Sequence, residues 1–161
     1  MTTFHDFKVR TIDGKDVSLG DFAGKVLLVV NVASRCGLTP QYTALEELHR
    51  RYLGRGFSVV GFPSNDFGAQ EPGTDAEIQA FCSTSYDVTF PMFSKIHVNG
   101  DAETPVYAFM KSVATAPKGP GDVTWNFEKF LVGKDGRVLA RFAPPTNPID
   151  GEIASAIEQA L

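Results

Sequence analysis

The sequence predicts an α/β fold in which a central mixed β-sheet is flanked by helices and preceded by an extra β-hairpin. Three observations predict it. Two continuously apolar runs, "VLLVVNVAS" from Val26 and "FSVVGF" from Phe57, read as strands covered on both faces. Between them Tyr42, Leu45, Leu48 and Tyr52 recur at helical spacing, which makes a β-α-β unit. Near the end, "VTWNFEKFLV", "GKDG" and "RVLARF" read as strand, tight turn and strand, with a last helix behind them. A parallel β-α-β unit joined to an antiparallel β-β-α ending gives a mixed sheet with helices on both faces.

The elements follow in order. "DFKVRTIDGKDVSL" alternates around Asp13-Gly14, a hairpin signal. After the first buried strand, Thr39 is placed to cap a helix whose first position suits Pro40, and the glycines of "GRG" stop it. The second strand ends in the turn-rich "PSNDFGAQEPG". Thr74 and Glu77 then form a capping box for a helix with Ile78, Phe81 and Cys82 on its apolar positions. "VTFPMFSKIHVNG" is partly extended and turns at Asn99-Gly100. Thr104-Pro105 opens the helix "PVYAFMKSVA", which dissolves into "TAPKGPGD". Asp150 can cap a final helix that carries Ile153, Ile157 and Leu161 on one face. This order is that of a thioredoxin-like fold with an N-terminal hairpin added.

A chain of 161 residues accommodates one domain, spanning 1–161, with room for a sizeable core. Its net charge of −4 provides neither a basic patch for nucleic acid nor a polybasic membrane anchor. The longest apolar run is far short of a membrane span, and the polar start carries no signal core, so the expected location is cytoplasmic. In that compartment the two cysteines, Cys36 and Cys82, are expected to be thiols or a transient redox pair rather than a structural disulfide.

Cys36 stands between a buried strand and a helix start, where free N–H groups favour the thiolate, and Arg35 is beside it. A free cysteine is commonly a packed apolar residue, but Ser34, Arg35 and Gly37 are not core neighbours. "CGLT" lacks the second cysteine of a dithiol motif, so thiol exchange fits poorly. A single thiolate suits attack on a peroxide O–O bond, giving a sulfenic acid. Neutral donors such as amide NH₂ groups or an indole N–H can steady the charge in that step.

Such donors lie in two other segments, and here the sequence resembles a known family. "NVASRCGLTPQY", "GFPSNDFGAQEPG", "VTFPMFSKIHVNG" and "VTWNFEKFLV" together resemble the glutathione peroxidases over essentially the whole chain. The resemblance implies a catalytic tetrad of Cys36, Gln70, Trp125 and Asn126, with Cys36 at the position that is selenocysteine in some members. It implies reduction of hydrogen peroxide and organic or lipid hydroperoxides, in defence against oxidative stress, with no metal, flavin or other cofactor. The chain departs from the common "FPCNQFG" at Ser64 and Asp66; an Asp66 carboxylate turned inward would oppose thiolate formation. Cys82 lies on the helix that carries the resolving cysteine in many cysteine-containing members. A Cys36–Cys82 disulfide reduced by thioredoxin is therefore expected, with packing as the alternative role for Cys82 and glutathione as the alternative reductant. The short "TAPKGPGDV" connection resembles that of monomeric members with an open site.

Two other functions fit parts of the pattern. A peroxide sensor would pass the disulfide to a partner protein, which no residue distinguishes from the enzyme. A binding module would leave Cys36 silent, against the intact tetrad. His5, His49 and His97 lack metal-ligand spacing and are expected to serve as surface or helix polarity.

Overall fold

The computed structural model of the protein describes residues 1–149 and 151–161. The hairpin forms as predicted: β1 (Lys8–Arg10) and β2 (Asp16–Ser18) pair antiparallel as a separate two-stranded sheet, and Gly14 takes φ +92° at the turn. The central sheet contains β3 (Val26–Val32), β4 (Phe57–Pro63), β5 (Lys129–Val132) and β6 (Val138–Phe142) in the order β4-β3-β5-β6. β3 and β4 are parallel, and the other pairings are antiparallel. Helices α1 (Gln41–Tyr52), α2 (Asp75–Tyr86), α3 (Pro105–Ser112) and α4 (Gly151–Ala160) complete the thioredoxin-like fold. Every residue of β3, β4 and β5 is buried, which is why those runs carry no polar alternation.

Two apolar clusters lie in the interior, one on each face of β3 as its side chains alternate. One joins Leu28, Val30 and Val32 to Tyr42, Leu45 and Leu48 of α1, Ile78 and Cys82 of α2, and Ile153 and Ile157 of α4. The other gathers Leu27 and Val29 with Phe62, Tyr107 and Phe130. The capping box of α2 is present, with Glu77 N donating to Thr74 Oγ1 and Thr74 N donating to Glu77 Oε1. The predicted cap of α4, Asp150, lies outside the described residues.

Three local readings change. Thr39 does not cap α1. Its hydroxyl is drawn into the preceding loop, accepting from Cys36 N (2.9 Å) and donating to Ala33 O (2.8 Å), and Pro40 occupies the cap with no side-chain bond. β5 begins at Lys129, because Phe127 takes φ +67° and turns Trp125–Phe127 out of the ladder. His49 is buried rather than on the surface: Val59 N donates to its Nδ1 at 3.2 Å, and burial pushes its pKa down.

Candidate active site

Cys36 sits in a loop of tight turns between β3 and α1, half-buried rather than packed away. The helix proper starts only at Gln41, so the sulfur is served by a loop amide: Leu38 N lies 3.3 Å from Sγ. Thr39 pins the loop, donating its N–H to Cys36 O and accepting from Cys36 N. The cysteine is thereby held by the bonds of its own main-chain N–H and carbonyl to Thr39.

Gln70 is brought beside this loop by its own carbonyl, which accepts from Arg35 N at 3.0 Å. Gly68 (φ +62°) and Ala69 (φ +52°) are consecutive left-handed residues that turn the chain into Gln70. A side chain at Gly68 would stand 3.2 Å from the Trp125 ring and 3.4 Å from Gln70 Nε2, so glycine allows the two side chains to share one place. Asn126, fully buried, donates its amide to Gln70 Oε1 at 3.0 Å. Trp125 is 37% exposed, with its ring 5.6 Å from that of Phe67. Gln70, Trp125 and Asn126 thus meet, and Gln70 also meets the loop that carries Cys36.

Asp66 points away from this group. Its carboxylate accepts from Val98 N (2.7 Å) and Asn99 N (3.4 Å) and pairs with His97 Nδ1 (2.7 Å). Burial pushes its pKa up, but these bonds outweigh burial and hold the carboxyl below its usual range. Asn99 continues the framework, donating to Val123 O and accepting from Val123 N, with Lys111 bonded to its amide oxygen. The polar loop that departs from the family pattern therefore braces the connection leading to Trp125.

Cys82 lies on α2 and is only 2% exposed. Burial pushes its thiol up to about 11, so at neutral pH it is protonated where it packs, near the Tyr42 hydroxyl. Between the Cys36 loop and α2 runs a cleft of about 200 Å³ lined by Ser34, Arg35, Glu71, Ile78 and Phe81. Glu71 is 1% exposed there, and burial raises its pKa above the usual carboxylate range. Neither Glu71 nor Asn31, a buried polar residue of β3, was singled out by sequence reasoning; a lone Asn inside an apolar run was the available signal for the latter. Among the described residues, no helix is long and apolar enough to cross a membrane.

Comparison with known proteins points the same way. The glutathione peroxidase family model matches residues 4–111. The thioredoxin/glutathione peroxidase BtuE of Escherichia coli K12 is 49% identical, over 95% of this chain and 94% of the relative. The hydroperoxy fatty acid reductase of Synechocystis is 46% identical, over 99% and 96%. A solved structure described as Trgpx in apo form superposes with a TM-score of 0.80 at 40% identity, covering 99% of this chain and 96% of that one. With likeness of this extent and a loop cysteine set among three converging segments, the chain belongs to the glutathione peroxidase family and is a peroxidase.

Proposed function

We propose that the chain reduces hydrogen peroxide and organic hydroperoxides through Cys36. The thiolate attacks the terminal peroxide oxygen, the O–O bond breaks, and the departing oxygen takes a proton to leave as water or an alcohol. Cys36 becomes a sulfenic acid. Gln70, Trp125 and Asn126 supply neutral N–H donors to the charge that develops on the departing oxygen. Cys82 then attacks the sulfenic sulfur, releasing water and forming a disulfide, which the dithiol of thioredoxin reduces. The name of the Escherichia coli relative supports thioredoxin as well as glutathione, and that of the Synechocystis relative supports fatty acid hydroperoxides as substrates. The protein acts in this reading as a cytoplasmic, monomeric single-domain enzyme that needs no bound cofactor.

The observation that carries the reading is the hydrogen bond from Asn126 to Gln70, together with that from Arg35 to Gln70, because they join three separated motifs at one loop. In this reading α2 opens locally to expose the buried Cys82 and bring it to the disulfide geometry, with Cα atoms within about 7 Å. Mass spectrometry after one equivalent of hydrogen peroxide and a thiol-blocking reagent tests the cycle. The expected product has lost two hydrogens and takes up no label, and Cys36→Ser is expected to be unreactive. Peroxide consumption by Cys36→Ser sinks the mechanism, whereas a gain of one oxygen with Cys82 labelled removes Cys82 from it.

A further inference from the structure

Asn31 is the one polar residue of β3, "VLLVVNV", and its side chain is fully buried. A buried amide costs free energy unless it is hydrogen-bonded; among the described residues Asn31 Oδ1 has no partner, and the one side-chain bond that is made goes to a particular place. Its Nδ2 donates to Trp125 O at 3.0 Å, and its main-chain carbonyl accepts from Phe127 N at 2.6 Å. The two bonds flank Asn126. They also come at the point where regular pairing stops: the last pair in register between β3 and β5 is Val30 with Lys129.

Beyond that pair the chain does not extend the strand. Phe127 takes φ +67°, a conformation that phenylalanine rarely adopts, while its buried ring packs edge-on against Tyr42 at 5.5 Å. Left to its own preferences, "WNF" would continue the strand, which would alternate Trp125 and Asn126 to opposite faces of the sheet. Something outside the segment must hold it turned, and Asn31 contacts it on both sides of Asn126.

We propose that Asn31 is the positioning residue that holds Trp125 and Asn126 against Gln70, and so sets the rate of Cys36 oxidation without touching the reacting atoms. The proposal rests on the assignment of Cys36, Gln70, Trp125 and Asn126 as the peroxide-reducing group. It requires that loss of the Asn31 amide displace the indole, because a small misplacement of a donor is enough to slow a preorganised step.

Trp125 is the only tryptophan, so its emission reports this loop directly. The test compares wild type with Asn31→Leu, of similar volume, and Asn31→Asp, which keeps the shape but removes the donor to Trp125 O. Three quantities are read: the rate of Cys36 oxidation by hydrogen peroxide, acrylamide quenching of Trp125, and the rate at which excess small dithiol returns oxidised Cys36 to the thiol. Oxidation is expected to slow by about 10²-fold with raised quenching, while return to the thiol is unchanged. Should Asn31→Leu fail to fold, Asn31→Asp carries the same readouts. Oxidation at the wild-type rate, or slowed oxidation with unaltered quenching, overturns the role given to Asn31. A wild-type Cys36 that does not react with peroxide instead overturns the underlying assignment.

Discussion

Gln70 has its amide oxygen engaged by Asn126, and among the described residues no acceptor takes its Nε2. That asymmetry gives the two amides different tasks. In the proposed mechanism Asn126 orients Gln70 with one of its hydrogens, which leaves the NH₂ of Gln70 to meet charge developing near Cys36. Gln70→Glu separates orientation from donation, because a carboxylate can still accept from Asn126 but cannot donate and repels a thiolate. The variant is expected to fold like wild type and to oxidise at least about 10²-fold more slowly. Stopped-flow measurement of thiol loss on mixing with peroxide checks it, and a wild-type rate removes Gln70 from the chemistry. Asp66, two residues before Gly68, shows how little charge alone decides: its carboxylate is spent on the His97 ring and the N–H groups of Val98 and Asn99.

α2 must release Cys82 if the disulfide is to form, and it is fastened at both ends. At the start, Asp75 accepts from Ser94 Oγ (2.6 Å) and Lys95 N (3.0 Å). At the end, Asp87 closes the helix in a left-handed conformation, and the N–H groups of Asp87 and Val88 both bond Cys82 O. Just beyond, Glu46 of α1 accepts from Thr89 N (2.7 Å) and Thr89 Oγ1 (2.5 Å) and also holds Arg50, which reaches Asp87. Burial pushes the Glu46 pKa up, yet the bonds from Thr89 and Arg50 hold it below the usual range, so the clamp is charged at neutral pH. Glu46→Gln weakens the clamp without emptying it. If it lowers the cost of opening by about 1 kcal/mol, disulfide formation after oxidation speeds up roughly fivefold while oxidation itself is unchanged. Quenched-flow alkylation resolves the two steps. Unchanged disulfide formation in Glu46→Gln means that the end of α2 does not limit release.

Across the whole molecule, the segments between the elements are fastened by buried charge. Glu128, directly before β5, pairs with Arg141 of β6, both fully buried, and also holds Lys118. Arg141 in turn donates to Gly119 O and Asp122 O, so the connection leading to Trp125 is tied to the sheet. Lys129 is buried on β5 and donates to Pro144 O (2.7 Å) and Thr146 O (2.6 Å), while Gln41 at the start of α1 donates to the same Pro144 O. Burial pushes the lysine pKa down from 10.5 to about 7, against the attraction of Glu128. Above pH 7 the unfolded chain keeps that proton while the folded one releases it, so stability rises with pH in this window and the cost of the buried cation is complete below it. Between pH 7 and 9 the wild type is expected to gain up to about 2 kcal/mol relative to Lys129→Met. Above pH 9 the buried Cys82 thiol, raised to about 11, acts in the opposite sense. Urea unfolding midpoints at pH 7, 8 and 9 check this, and parallel profiles for the two proteins refute it.

Period and punctuation made much of the fold legible in the sequence. The apolar runs of β3 and β4, the helical spacing in α1, the Thr74–Glu77 box and the Asp13-Gly14 turn are all local patterns, and local patterns survive folding when burial agrees with them. The resemblance to the glutathione peroxidases carried by the four motifs pointed to Cys36, Gln70, Trp125 and Asn126. Long-range hydrogen bonds decided the rest. Which way Asp66 faces depends on amides some thirty residues later; the turn at Phe127 depends on Asn31 in another strand; Thr39 forgoes the helix cap for Cys36 and Ala33. The burial of Cys82 follows from helix and sheet closing over it. The sequence determined by itself which residues could do chemistry; only the tertiary structure decided which donors are free, because hydrogen-bond partners are set by approach in space and not by order along the chain.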